Sequence, residues 1–277
     1  MTVPHSLLKT VSYSNEWIKD FYTQAGIWWG AEPHDSADEH IKRLAMIKRL
    51  CGERKLRILD LGCGSGSTAA TFADAGHDVV GVELNPTDIG YAQKFLEDPH
   101  KGLLNILQGD FYTIQLEGCF DVVTWWEGFG LGSDGDQRCM LRRIVQEWLA
   151  PNGCALIDVY NPARPARYAG ETFDWDALEN VPGSVQMVQH CHYDVINNVW
   201  IDEWEPVETT EKALAQAIRC YSPADLILLL EGTGLAIERL EIDGQEIDFK
   251  AQKIHLLKEW LDLWAYLVKL VPSEKLT

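Results

Sequence analysis

The sequence predicts an α/β domain with a doubly wound, mostly parallel sheet. Three observations carry this reading. Between residues 55 and 160, short apolar runs alternate with longer amphipathic ones, the pattern of successive βαβ units. One run, RILDLG, opens straight into a loop with glycines at 62, 64 and 66 and then into a helix. The next apolar run ends in an acid, Glu83. With 277 residues, 46% of them hydrophobic, the chain can bury a sizeable core.

Taken in order, residues 13–29 place Tyr13, Trp17, Phe21 and Trp28 at near-helical spacing. In 37–51, Ile41, Leu44, Ile47 and Lys48 recur at the helical period. Residues 1–52 are therefore read as a helical N-terminal cover. The first strand is 57–62, followed by a helix at about 66–75 and a second strand, DVVGVEL, at 78–84. A helix near 87–97 leads to a third strand at 103–108, and FDVVTWW at 120–126 is the fourth. A helix at 134–149 stops at Pro151-Asn152-Gly153, and CALIDVY at 154–160 is the fifth strand. The pattern then changes. Residues 184–206 alternate polar and apolar around Asn197-Asn198, as an antiparallel hairpin does. This defines a β-rich insertion, 164–212, between the fifth strand and the late elements. Ser222-Pro223 starts a helix at 223–232, and AIERLEI at 236–242 is a sixth strand. In the tail, 254–264 is read as a helix and 265–271 as a final strand. No repeat or linker divides the chain, so 1–277 is expected to be a single domain.

Composition excludes several classes. The net charge is −18, with 24 basic against 42 acidic residues. Such a surface repels phosphate backbones and anionic lipid, so neither nucleic acid nor membrane is an expected partner. The seven cysteines show no CxxC pair and are odd in number, which argues against a disulfide framework or a metal site. No apolar run reaches the ~20 residues of a membrane span, and the first residues lack a signal-peptide core. A cytoplasmic protein is expected, with a homodimer left open.

The chemistry concentrates in ILDLGCGSGSTAATFADAGHDVVGVEL. Glycine is needed where the backbone turns tightly and a ligand comes too close for a β-carbon, and the following helix offers its free amides. An acid ending the second strand can accept both hydroxyls of a ribose. A dinucleotide loop is G-x-G-x-x-G. Here the spacing is G-x-G-x-G, Ser67 stands at the third-glycine place, and Asp60 before the loop suits a ligand carrying an amino group.

The run Asp60-Leu61-Gly62-Cys63-Gly64-Ser65-Gly66 resembles the first motif of class I S-adenosylmethionine-dependent methyltransferases. Gln108-Gly109-Asp110-Phe111, Phe120-Asp121-Val122-Val123 and Leu149-Ala150-Pro151-Asn152-Gly153 are similar to later segments of that family, in order, and Ser222-Pro223-Ala224-Asp225-Leu226 resembles another more loosely. The resemblance implies a seven-stranded Rossmann-like sheet of order 3-2-1-4-5-7-6, its seventh strand antiparallel. It implies S-adenosyl-L-methionine as cofactor, held by Asp60, Gly62, Cys63, Gly64, Gly66, Glu83 and Leu84, with Asp110 at the adenine amino group, Phe111 beside the ring and Trp126 nearby. The alternative is a Rossmann-like domain for another nucleotide, or one that has lost its ligand.

The acceptor should lie beyond the carboxyl ends of the fourth and fifth strands. Trp28, Trp29, Glu127, Tyr160 and Asn161 are the candidates for holding it. The catalytic candidates are Tyr160 and, in the insertion, His190 and His192. Either histidine as a base competes with an ordinary solvated hairpin residue. The expected reaction is methyl transfer to an O or N atom of a small metabolite. The alternatives are a peptide or protein acceptor, or a non-catalytic binding protein. Asn161-Pro162-Ala163-Arg164 is not the N-P-P-aromatic motif of methyltransferases acting on DNA.

Overall fold

The computed structural model describes residues 15, 17–28, 37–179, 183–207, 212–251 and 253–275. Strands β1 (Arg57–Leu61), β2 (Asp78–Glu83), β3 (Leu104–Gln108), β4 (Phe120–Trp125) and β5 (Leu149–Tyr160) pair in parallel. The helices α3 (Ser67–Asp74), α4 (Pro86–Glu97) and α5 (Asp134–Arg143) connect them, preceded by α1 (Ile18–Trp28) and α2 (Ala37–Cys51). After β5 come a short α6 (Ala163–Arg167) and the strands β6 (Thr172–Trp175), β7 (Met187–Asp194), β8 (Val199–Pro206) and β9 (Leu214–Arg219). The chain then forms α7 (Pro223–Leu230), β10 (Leu235–Ile242), the two-residue β11 (Gln245–Glu246) and β12 (Ala265–Pro272).

The main sheet has eight strands in the order β11-β10-β12-β5-β4-β1-β2-β3, with β12 antiparallel to both β5 and β10. The central strands are buried on both faces, which is why they read as continuous apolar runs. Ile58, Val122 and Leu156 meet α2 and α3 on one face, while Leu59, Val123 and Ile157 meet α5 and α7 on the other. These two cores fix the carboxyl edge of the strands, where the loops after β1, β2 and β4 converge.

Over that edge lies a separate antiparallel sheet, ordered β6-β7-β8-β9. The hairpin expected over 184–206 is β7 and β8; β6 and β9 widen it, because Thr172–Trp175 pairs with Met187–His190 and Leu214–Arg219 pairs with β8. Two apolar clusters glue this sheet to α1: Phe21, Ala25 and Trp28 pack with Met187 and Trp204, while Trp200 and Ile218 pack with Ile18 and Tyr22.

Three boundaries and one buried face differ from expectation. The helix expected over 134–149 ends at Arg143 and finishes in one wide π turn, Ile144–Trp148. Strand β5 begins at Leu149, ahead of the expected 154, because Leu149 pairs with Phe120 and a bulge absorbs Pro151-Asn152-Gly153. The helix expected over 254–264 is only a 3-10 turn, Lys258–Leu261, although the following strand forms as read. In α2 the buried stripe is His40, Arg43 and Ile47, while Ile41 is 60% exposed and Lys48 is exposed. No helix among the described residues is long and apolar enough to cross a membrane.

Candidate active site

The loop after β1 is held under the second strand: the amides of Gly62 and Cys63 both donate to Val82 O, at 2.9 and 3.1 Å. Gly62 and Gly64 have φ of 65° and 53°, in the left-handed region that suits glycine. A β-carbon on Gly64 would meet no protein atom within 4 Å and would project into open space. Gly66 behaves differently. At φ 82° it caps α3, and its β-carbon would sit 2.6 Å from Ile106 Cδ1. Gly66 therefore serves the packing of α3 against β3 and does not line the cavity, contrary to its expected place at the ligand.

Glu83 closes the loop. One carboxylate oxygen accepts from Gly64 N at 2.9 Å and the other from Asn85 N at 2.7 Å. Burial outweighs these bonds and pushes its pKa up to about 7. Asp60 lies at the base of the loop, 1% exposed, accepting from Thr124 Oγ1 at 2.7 Å. Asp110 accepts from Tyr112 N at 2.8 Å and so shapes the turn that presents Phe111, whose ring meets Trp125 edge-on at 5.5 Å. The N-terminus of α3 has no side-chain cap, leaving its first amides directed toward this edge.

All of these groups but Gly66 face one cavity of about 810 Å³. Its lining includes Asp60, Gly62, Cys63, Gly64, Glu83, Leu84, Asp110, Phe111, Trp126 and Glu127 from the sheet edge. Trp28 and Tyr160, expected at the acceptor, also line it. Trp29 lies outside the described residues. Between the two ends sits Glu127, at φ 56°, with its amide on Asp158 Oδ1 at 2.7 Å and its carboxylate paired with Arg43. Burial, then repulsion from Glu127, raises Asp158 to about 7.

The other expected residues take different places. The Asn161 side chain is fully buried: its amide donates to Trp260 O and to Leu263 O, the latter at 3.1 Å, and its oxygen accepts from Ala163 N at 2.8 Å. It ties the tail to the end of β5 and has no face on the cavity. His190 and His192 stand on the outer face of the insertion sheet, opposite Met187, Gln189 and Cys191. Their partners there are Glu205 and Glu203, each at 3.5 Å, so neither reaches the cavity as a base. Tyr160 does reach it, but burial and the nearby Glu127 and Asp158 push its phenol well above the ordinary value. It therefore stays protonated at neutral pH.

The structure adds residues that the sequence reading missed. Arg43 is 5% exposed, donates to Thr68 Oγ1 at 3.0 Å and lies over Trp126 at 5.5 Å; His40 meets the same hydroxyl at 2.9 Å. Their signal was present: two polar residues at positions 40 and 43 share the stripe of Ile47 on an otherwise amphipathic helix. At the far end Trp175, Gln216 and Tyr22 join Trp200 and Trp204, which belong to the insertion expected to cover the acceptor. No local motif marks these, since they converge only through the pairing of β6 to β9.

A glycine loop on the first strand, an acid on the second and a cavity outside the carboxyl ends of the sheet define a nucleotide-binding α/β domain. Residues 58–153 match the methyltransferase domain family. Over 115 residues the chain is 31% identical to a cypemycin N-terminal methyltransferase from Streptomyces sp, covering 41% of this chain and 46% of that protein. Over 113 residues it is 31% identical to a ubiquinone biosynthesis O-methyltransferase from Aromatoleum aromaticum, covering 40% and 48%. The match thus spans about half the length of these curated relatives. The fold of the CcbJ methyltransferase from Streptomyces caelestis aligns over 86% of this chain and 97% of that one, with a TM-score of 0.66 at 18% identity. Residues 58–153 thus match a methyltransferase domain, and the cofactor that the motif resemblance implies is S-adenosyl-L-methionine. The cavity fits that group. Gly64 leaves room for it, Glu83 keeps acceptor capacity for ribose hydroxyls, and the buried Trp126 Nε1 has no hydrogen-bond partner among the described residues.

Proposed function

We propose that the chain transfers the methyl group of S-adenosyl-L-methionine to an N or O atom of a small molecule bound under the insertion sheet. The observation that carries this is the continuity of the cavity. Its glycine-loop end and its aromatic end share one space, with Trp126 and Glu127 between them. About 810 Å³ lies within the range of small-molecule sites.

The bound cofactor supplies an electrophilic methyl carbon on a good, neutral leaving group. What remains for the protein is alignment and exclusion of water. Gly62, Cys63 and Gly64 bring backbone against the ligand, Glu83 takes its ribose hydroxyls, and Asp60 lies beneath the loop. The insertion sheet and α1 cover the acceptor end. Tyr160, held protonated by burial, offers a hydroxyl donor to the acceptor. This roof favours a small acceptor over a folded protein surface. The test is a cell-metabolite extract incubated with the protein and methyl-labelled adenosylmethionine. The label is expected in a small-molecule fraction. Label confined to macromolecules, or cofactor binding without transfer, would contradict the proposal.

A further inference from the structure

The acceptor end has a definite polarity. Its walls are aromatic: Tyr22, Trp28, Tyr160, Trp175, Trp200 and Trp204. Behind them the carboxylate of Asp202 is 1% exposed and accepts from Gln189 Nε2 at 2.7 Å, Trp204 Nε1 at 3.1 Å and Gln216 Nε2 at 3.3 Å. With both amide nitrogens turned to Asp202, both amide oxygens turn away from it. Gln216 Oε1 accepts from the Tyr22 hydroxyl at 3.1 Å, and Gln189 Oε1 accepts from Trp175 Nε1 at 2.8 Å. Asp202 therefore fixes the orientation of the whole roof, and what the roof presents is ring faces, acceptor oxygens and negative charge. Glu127 adds a carboxylate on the sheet side. Of the cations on the lining, Arg43 is engaged with Glu127 and Thr68, and Lys19 is exposed on α1.

We infer that the acceptor is an amine carried on an apolar body, with Asp202 as the positioning residue of its site. This rests on the methyl transfer proposed above. The nitrogen lone pair forms the new bond to the methyl carbon as the carbon–sulfur bond breaks and its electron pair stays on sulfur. Positive charge passes from sulfur to nitrogen, and the product ammonium releases its proton to water. Ring faces and carboxylates stabilise that charge more in the transition state than in the neutral amine, which is the condition for raising the rate. A hydroxyl acceptor would need a base, but the Tyr22 hydroxyl is committed to Gln216 Oε1 and the Glu127 carboxylate is paired with Arg43.

The experiment uses the full chain saturated with S-adenosylhomocysteine and reads tryptophan fluorescence. The probes are benzyltrimethylammonium and its uncharged isostere neopentylbenzene. The cation is expected to bind at least tenfold more tightly. Asp202→Asn should narrow that ratio at least threefold with S-adenosylhomocysteine affinity unchanged. Should that variant not fold, Trp175→Leu, at a residue 51% exposed, should weaken the cation at least threefold through loss of one ring face. Equal or tighter binding of the neutral probe overturns the inference, as does a cation that fails to bind at millimolar concentration or a preference that survives both substitutions. Loss of S-adenosylhomocysteine binding itself would overturn the methyl-transfer reading as well. Cofactor binding with a neutral-probe preference would overturn the amine alone.

Discussion

Replacing Glu83 by glutamine removes its charge and turns one of its two acceptor oxygens into an amide nitrogen that faces Gly64 N or Asn85 N. The carboxylate accepts from Gly64 N at 2.9 Å and Asn85 N at 2.7 Å, and its remaining lone pairs are the ones available to a ribose. A charge-assisted bond contributes about 1.5–3 kcal/mol and a neutral one about 1 kcal/mol. Two ribose bonds that lose their charge assistance therefore cost about 2 kcal/mol, roughly 30-fold in Kd. The pH dependence follows. Hydroxyls donate to the ionised carboxylate, so binding favours deprotonation. With a pKa of about 7 in the unliganded protein, affinity should rise with pH through 7 and level off above it. At pH 6 the wild type should be weaker by roughly tenfold, and the gap to Glu83→Gln should shrink to a few-fold. Isothermal titration of S-adenosylhomocysteine at pH 6, 7 and 8 measures both. The ligand's own amino group titrates identically for the two proteins, so their difference reports Glu83. A folded Glu83→Gln protein with the wild-type affinity and pH slope would refute the reasoning.

Three further outcomes are expected. His190→Ala and His192→Ala should each turn over within about threefold of wild type, because both rings lie on the outer face; a loss near the 10²–10⁴-fold of general-base catalysis would contradict that placement. Asn161→Ala should lower the unfolding free energy by about 3 kcal/mol, having removed three buried hydrogen bonds at about 1 kcal/mol each, as urea titration would show. Glu83 and Asp158 are raised to about 7 and Asp202 to about 6, so their contribution to stability is full below the ordinary carboxylate range and lost as pH rises through 6 to 7. His77, lowered by burial, and Cys51, lowered by its hydrogen bond with Cys154, oppose them, while His100, raised by its hydrogen bond with Asp74, acts with them, so the melting temperature of the unliganded protein should fall from pH 5.5 to 8. A melting temperature that rose over this range would contradict the assignment.

The sheet was legible because each central strand is buried on both faces and its signal is local: an apolar run, a glycine loop, an acid. The cofactor end was legible for the same reason, since Asp60 to Glu83 lie within one strand–loop–helix–strand. Gly66 shows the limit of that logic. It satisfies the motif through helix packing at Ile106, a contact no spacing encodes. The acceptor end was legible only in part: Trp28, Glu127 and Tyr160 line the cavity as expected, while His190, His192 and Asn161 do not. Position 190 or 192 alternates correctly for a strand face, but which face meets the cavity depends on Trp204 pairing with Gln189 and Leu214. Asn161 sat at the right strand end, yet its amide is committed to backbone from the 260–263 turn, a hundred residues away. In α2 the buried face was misread because its inner stripe is polar, which is itself the sign of a functional wall.

The cavity beside the glycine loop is expected to bind S-adenosyl-L-methionine and not another nucleotide. Calorimetric titration of the wild-type protein with S-adenosylhomocysteine and with NAD tests it most directly. One site of micromolar order for S-adenosylhomocysteine, about −8 kcal/mol, and no measurable heat with NAD is the predicted result. The same titration on Gly64→Trp should show no binding, since the indole would project into the space the ligand needs. Tight binding of NAD with none of S-adenosylhomocysteine would contradict the account.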